Sequence, residues 1–91
     1  MTMKIDVKSF AHLRLALGKS PATIEVPEGS TVADLIDIII AQHGEAARTA
    51  IWRENNDTLK ITPVHDGKRM ALDAQLVDGM TVVFMSVVAA G

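Results

Sequence analysis

The sequence predicts an α+β fold: a mixed sheet of about five strands with one main helix packed on one face. Three observations indicate it: a strand-like alternation at 3–7, one amphipathic helix at about 31–43, and a long apolar strand at 82–89. Since the apolar side of a helix and one face of a sheet must both be buried, the two layers should pack together. The 91 residues form one predicted domain, 1–91.

The composition excludes several classes of function. Net charge is −2, with 9 basic and 11 acidic residues mixed along the chain, so nucleic acid is not an expected partner. No apolar run is long enough for a membrane span, and the N-terminus leads directly into a strand pattern, so a soluble cytoplasmic protein without a signal peptide is expected. Cysteine is absent, which excludes disulfides, thiolate metal sites and a cysteine nucleophile.

The first third of the chain predicts a hairpin interrupted by a short helix. Residues 3–7 alternate apolar and polar side chains, as a half-buried strand does. Residues 10–18 predict one or two helical turns that end at Gly18. A second strand at 23–26, closed by Pro27 and Gly29, should pair with the first.

The main helix has a marked beginning and end. Thr31 and Asp34 have the spacing of a capping box, and Gly44 supplies a stop. The helix side predicted to face the sheet carries Val32, Leu35, Ile36, Ile39 and Ile40. A second helical segment is predicted at 45–52, next to Ile38.

The rest of the chain predicts three more strands. The third is predicted at 58–62, near an edge or a bulge because Pro63 follows, and the fourth at 68–72 after an Asp-Gly turn. The last strand should return to the middle of the sheet, parallel to the first. Two hairpins separated by one helix, with such a returning strand, make the β-grasp arrangement.

Polar side chains that could do chemistry have ordinary interpretations as well. The three histidines, His12, His43 and His65, lie on separate elements without ligand spacing, so no metal site is expected. Asp34 and Asp37 share a helix side, which is more typical of a solvated surface than of an acid/base pair. Four cations could form a small basic patch that steers a partner or could serve solubility alone: Lys8, Arg14, Lys68 and Arg69.

The last strand is apolar on both of its faces. If Val82 and Phe84 point at the helix, then Val83, Met85 and Val87 point to the open face of the sheet. Such an apolar strip indicates a partner-binding surface, or else a strip covered by a loop of the same chain.

The sequence ends in small residues. Val88, Ala89, Ala90 and Gly91 form a predicted flexible tail, 88–91, which is either a frayed end or a segment that threads a partner's narrow channel. A terminal glycine leaves its carboxylate free of Cβ crowding, which helps if that carboxylate reacts.

Three stretches resemble the MoaD/ThiS family of ubiquitin-like sulfur carriers, most closely the small subunit of molybdopterin synthase. Phe10-Ala11-His12-Leu13-Arg14 resembles the family's segment after the first strand, and Gly29-Ser30-Thr31-Val32-Ala33-Asp34-Leu35 resembles its helix entry. Leu76-Val77-Asp78-Gly79, followed by a strand and a last glycine, resembles its closing segment. The sequence departs from the family pattern at Ala90, where the family has glycine.

The resemblance implies that the carboxylate of Gly91 is the reacting group. A ubiquitin-activating-type adenylyltransferase would convert it to an acyl-adenylate with ATP, and a sulfur donor would then form a thiocarboxylate. A molybdopterin synthase large subunit, or an equivalent acceptor enzyme, would use this sulfur to build the dithiolene of the molybdenum or tungsten cofactor. The chain would bind no cofactor itself, and catalytic side chains would belong to its partners.

The sequence leaves other functions open. The same sulfur chemistry could serve thiamin synthesis or another pathway. The chain could also be a protein modifier that joins Gly91 to a substrate lysine, or an interaction module whose tail has no chemistry.

Overall fold

The computed structural model describes residues 2–9, 11–18, 22–52 and 59–86, with the backbone alone at 11, 12, 16 and 86. Its elements in chain order are β1 (Thr2–Ser9), α1 (Ala11–Leu17), β2 (Ala22–Pro27), α2 (Val32–His43), α3 (Glu45–Ile51), β3 (Ile61–His65), β4 (Lys68–Arg69) and β5 (Thr81–Ser86). The five strands form one sheet in the order β2-β1-β5-β3-β4. The predicted five-stranded β-grasp is therefore confirmed.

Strands β1 and β5 lie side by side and parallel at the centre of the sheet. β1 also pairs antiparallel with β2, in a register that places Ile5 opposite Ile24. Both residues are buried, and their neighbours along each strand turn to the other face. The predicted first hairpin and the return of the last strand to the middle are thus confirmed.

Helix α2 begins and ends where the sequence predicts. The Thr31 hydroxyl accepts a hydrogen bond from the Asp34 N–H at 3.3 Å, and the Asp34 carboxylate accepts one from the Thr31 N–H at 3.0 Å. This reciprocal pair satisfies donors that a helix start leaves open. The buried side carries Val32, Leu35, Ile36 and Ile39. No helix in the described ranges is long and apolar enough to cross a membrane.

The two shorter helices close the core at its sides. In α1, Leu13 and Leu17 are buried, and Gly18 ends the helix with a φ of 82°, as predicted; Phe10 lies outside the described residues. Helix α3 contributes Ala47 and Ile51, and it ends one residue earlier than predicted because Trp52 is already extended.

The prediction of β3 at 58–62 was wrong in its position. Leu59 instead forms an isolated bridge with Trp52, and the Lys60 N–H donates to the Ile51 carbonyl at 2.7 Å, so this stretch bonds to the end of α3. The strand itself runs from Ile61 to His65. The predicted start, residue 58, lies outside the described residues.

The prediction of β4 at 68–72 was too long, and Pro63 gives a reason. The Met70 N–H donates to the Pro63 carbonyl at 2.8 Å, but proline has no N–H to return a second bond. The ladder stops there, and the chain turns to the start of α2. There the carbonyls of Leu72 and Ala74 accept the N–H groups of Ala33 and Val32, at 2.9 and 3.0 Å.

The core lies between α2 and one face of the sheet, as predicted. All seven predicted members are fully buried: Ile5, Val7, Leu35, Ile36, Ile39, Val82 and Phe84. They come from both central strands and the helix, so removing one side chain leaves a cavity that its rigid neighbours cannot readily fill.

We expect Phe84→Ala to lower the free energy of unfolding by about 3–5 kcal/mol, because Phe84 is the largest fully buried side chain. That is a large part of the roughly 5–14 kcal/mol expected for a chain of this length. Urea denaturation measures the change, and Met85→Ala on the same strand is the matched control, with an expected loss below about 1 kcal/mol. Equal midpoints for the two variants would contradict the observed packing.

Candidate functional site

The open face of β5 is the part of the predicted site that the structure describes. Val82 and Phe84 point into the core, whereas Val83 is half-buried and the Met85 side chain is 49% exposed on the other face. The predicted alternation along β5 is therefore confirmed. Val83 is less exposed to solvent than the sequence suggests, because β5 has a neighbouring strand on each side.

The remaining predicted site residues, Val87, Val88, Ala89, Ala90 and Gly91, lie outside the described residues. The structure describes the course of β5, the strand that precedes them in the chain. β5 is described up to Ser86, which pairs with Ile61 of β3, at the end of the sheet where β1 also ends.

A turn fixes where β5 starts along β1. The Asp78 carboxylate accepts a hydrogen bond from the Lys4 N–H at 2.8 Å, and the Gly79 N–H donates to the Lys4 carbonyl, also at 2.8 Å. The Asp6 N–H then donates to the Met80 carbonyl at 3.0 Å. Gly79 has a φ of 83°, a conformation that glycine adopts without steric cost. The Asp-Gly motif thus sets the parallel register of β5.

The neighbouring strands place polar and charged residues beside the strip. Val83 lies opposite Lys8 of β1 and Val64 of β3, and Met85 lies opposite Thr62. Sequence reasoning missed Thr62 and Val64 as site residues because it placed the third strand too early. The Asp-Gly turn at 66–67 was the signal that could have located them, because the first strand of a hairpin runs up to its turn.

The two histidines whose side chains are described, His43 and His65, lie on different elements. His65 is half-buried, and its Nδ1 lies 2.8 Å from the Thr81 carbonyl oxygen, which ties the end of β3 to the start of β5. His43 ends α2, and the His12 side chain lies outside the described part. Within the described ranges, no three His, Asp or Glu residues are grouped so that they could hold a metal ion.

The two aspartates of α2 are both exposed and line a shallow hollow of about 440 Å³ beside the turn at 27–30. Asp34 is already engaged by the helix cap. This arrangement favours a solvated helix surface over an acid/base pair.

One ion pair is present among the described residues. The Arg48 guanidinium donates to the Glu45 carboxylate one turn away on α3, which lowers the pKa of Glu45. It lies on the surface of α3, away from β5, so the open face of β5 has no paired cation or carboxylate in the described ranges.

No family model matches this chain, and no curated protein matches it. Similar folds occur among solved structures. Small archaeal modifier protein 1 of Haloferax volcanii has a TM-score of 0.82 at 21% identity, over 94% of this chain and 99% of that chain. The BexX/CysO complex of Amycolatopsis orientalis has a TM-score of 0.69 at 24% identity, over 96% and 99%.

A third structure has a higher identity. It is described as "Putative molybdopterin converting factor, subunit 1" of Pyrococcus furiosus, with a TM-score of 0.75 at 28% identity, over 94% of this chain and 99% of that chain. The two chains therefore correspond over almost their whole lengths. The resemblance of this chain to ubiquitin-like sulfur carriers of the MoaD/ThiS type is confirmed.

Proposed function

We propose that this chain is a sulfur carrier for molybdopterin synthesis, with the Gly91 main-chain carboxylate as the group that holds sulfur. The observation that carries the proposal is the 28% identity to the Pyrococcus furiosus protein over 94% of this chain and 99% of that chain. The β5 strand supports it, since it leads from the centre of the sheet toward this terminus.

The chemistry requires activation because a carboxylate is a poor electrophile. A carboxylate oxygen of Gly91 attacks the α-phosphorus of ATP and pyrophosphate leaves, which produces an acyl-adenylate. A donor of sulfide-level sulfur (HS⁻) then attacks the acyl carbon, AMP leaves, and loss of the sulfur-bound proton gives a thiocarboxylate. Its sulfur is a nucleophile that attacks a precursor pterin, and water then cleaves the acyl C–S bond, so that the sulfur stays on the pterin and the Gly91 carboxylate is restored. Two such transfers supply the two sulfur atoms of the dithiolene.

The proposal assigns catalysis to two partners. A ubiquitin-activating-type adenylyltransferase supplies the ATP site, and a molybdopterin synthase large subunit, or an equivalent enzyme, accepts the sulfur. In this scheme the chain contributes its terminus and a docking face that includes Val83 and Met85, the strip of β5 that the structure leaves accessible. Because ATP is consumed, we propose that the reaction takes place in the cytoplasm.

Protein modification is the second candidate. It is favoured by the likeness in fold to a protein named small archaeal modifier protein 1. The two functions share activation of the terminus but differ in the acceptor, which is a pterin precursor in one and an amino group of a protein in the other.

The experiment that separates them is the intact mass of the protein purified from its own cells. A carrier shows one oxygen replaced by sulfur at the terminus, whereas a modifier appears linked to other proteins. An unmodified acid, with no linked proteins, would contradict both.

Deleting Gly91 should abolish formation of the acyl-adenylate while the melting temperature stays the same, because the reacting carboxylate would move one residue back. ATP–pyrophosphate exchange with an activating enzyme from the same organism measures the reaction. Val77→Asp, an exposed change away from the terminus, is the control. Normal exchange by the deletion variant would refute the role of Gly91.

The Ala90→Gly variant should be activated at the same rate as the wild type or faster. The change removes one methyl group next to the reacting residue and can only widen the clearance in a partner's channel. Single-turnover adenylation compares the two proteins, and a slower variant would show that the Ala90 methyl group makes a useful contact.

Met85→Asp should weaken binding of the activating enzyme at least ten-fold and change the free energy of unfolding by less than about 1 kcal/mol. The side chain is 49% exposed, so a charge there stays hydrated in the free protein but must be desolvated at an apolar interface. Calorimetric titration measures binding, with Val77→Asp as the matched apolar-to-acid control. Unchanged binding would show that Met85 lies outside the docking face, and unfolding of the variant would show that Met85 is a core residue.

A further inference from the structure

Strand β2 forms one edge of the sheet. The other edge is β4, which has only 2 residues, whereas β2 has 6. An edge strand presents a row of unpaired backbone groups, and proteins usually blunt such a row with lysine, proline or a bulge. From Ala22 to Val26, β2 contains no lysine or proline, and each residue pairs with one residue of β1, so this part of the edge has no bulge.

The register shows which backbone groups of β2 point away from the sheet. Lys4 of β1 uses both its N–H and its C=O for the turn that precedes β5. Since these groups alternate in direction along a strand, those of Ile5 point toward β2, where Ile24 is its partner. Thr23 and Glu25 therefore direct their N–H and C=O groups to the free edge, and these groups bond to no other described residue.

The free edge ends at Pro27. Proline has no N–H, and its carbonyl accepts the Ser30 N–H at 3.1 Å and the Ser30 hydroxyl at 2.6 Å. Pro27 also lines the hollow of about 440 Å³, together with Asp34, Asp37 and Ile38 of α2. A strand that pairs with the edge of β2 would therefore reach this hollow at one of its ends.

The surface along this edge is acidic. Residues 22–42 carry four carboxylates and no Lys or Arg, and all four side chains are exposed: Glu25, Glu28, Asp34 and Asp37. None of the four forms an ion pair with a described residue. Lys4 lies opposite Glu25, but it is one strand inward from the edge. A second β2 edge would bring carboxylates against carboxylates, and juxtaposed like charges disfavour such a pair.

We propose that β2 is the docking site for an extended basic segment of a partner protein, which adds a sixth, antiparallel strand to the sheet. The residue of that segment paired with Glu25 is Lys or Arg, because its side chain lies on the same face as the Glu25 carboxylate. The preceding residue lies beside Val26 on the helix side and is apolar, since Ile38 lines the hollow there. A second Lys or Arg before it lies opposite Pro27, near the carboxylate of Glu28.

This docking site goes beyond the proposed function and does not depend on it. In the sheet, β1 separates β2 from β5, so a segment bound at the free edge leaves the exposed strip of β5 accessible. The chain can therefore hold this partner while its terminus is engaged elsewhere.

The test is titration of the full chain with the peptide acetyl-Ser-Lys-Val-Lys-Val-Thr-amide, followed through the backbone N–H resonances of the isotope-labelled protein. We expect saturable shifts at Thr23 and Glu25, with slower hydrogen exchange of their N–H groups, because both gain an acceptor. The control peptide carries a methyl group on the backbone nitrogens of the second lysine and the threonine. It keeps the charge but loses two donors to β2, so its Kd should be at least ten-fold higher.

Charge reversal tests the same site from the side of the protein. Glu25→Lys should raise the Kd of the unmethylated peptide at least five-fold, since the paired lysine then meets a like charge. Asp73→Lys is the matched control, because it makes the same change of charge at an exposed position in the loop before β5. Its Kd should change less than two-fold.

Four outcomes would each overturn the inference. They are the absence of saturable shifts, equal binding of the methylated peptide, equal effects of the two variants, and shifts confined to strands other than β2. Self-association of the free chain with shifts at Thr23 and Glu25 would assign the edge to a second copy and overturn it as well.

Discussion

The parallel pairing of β1 with β5 is the constraint on which the rest of the structure depends. Parallel neighbours cannot be joined by a tight turn, so the intervening chain must cross over the sheet. Here that crossover includes α2, whose buried side belongs to the same core cluster as the buried residues of β1 and β5. Since Val7 and Val82 are partners in this pair and both are fully buried, the register of the pair and the packing of the core depend on each other.

Side chains and loops complete backbone hydrogen bonds where the regular elements cannot. The Asp78 carboxylate bonds the Lys4 N–H at a position where a neighbouring strand would supply a carbonyl. In the same way, Leu72 and Ala74 bond the first N–H groups of α2, which have no partner within the helix. These bonds hold the loop between β4 and β5 against the helix start and thereby deliver the chain to β5 in the correct register.

The two faces of the sheet have separate physical roles. One face provides the hydrophobic burial that stabilises so small a chain, and every predicted core residue of the strands lies there, packed with the buried side of α2. The other face is free of that requirement, so its charges and exposed apolar groups can serve recognition. Strand β5 contributes to both, since Phe84 is buried while Met85, the next residue, is half exposed.

Sequence patterns located every element whose signal is local. The capping box of Thr31 and Asp34, the stop at Gly44 and the alternation in β1 depend on contacts within a few residues, and all three are confirmed. The extent of β3 and β4 was not predictable in this way, because it depends on which partner each backbone group meets and on the donor that Pro63 lacks.

The sequence by itself determined the fold class, seven buried residues of the core and the direction of the side chains along β5, because the spacing of apolar residues indicates which side of an element is buried. It also supplied the closing motif on which the resemblance to sulfur carriers depends. Only the tertiary structure decided which residues are neighbours across strands. Lys8 and Arg69 lie far apart in the chain, and they flank the same two valines because three strand registers align them. The spacing of apolar residues in the sequence predicts which face of the sheet a side chain occupies. Its neighbours on that face depend on the strand register, which is set by pairing between distant parts of the chain.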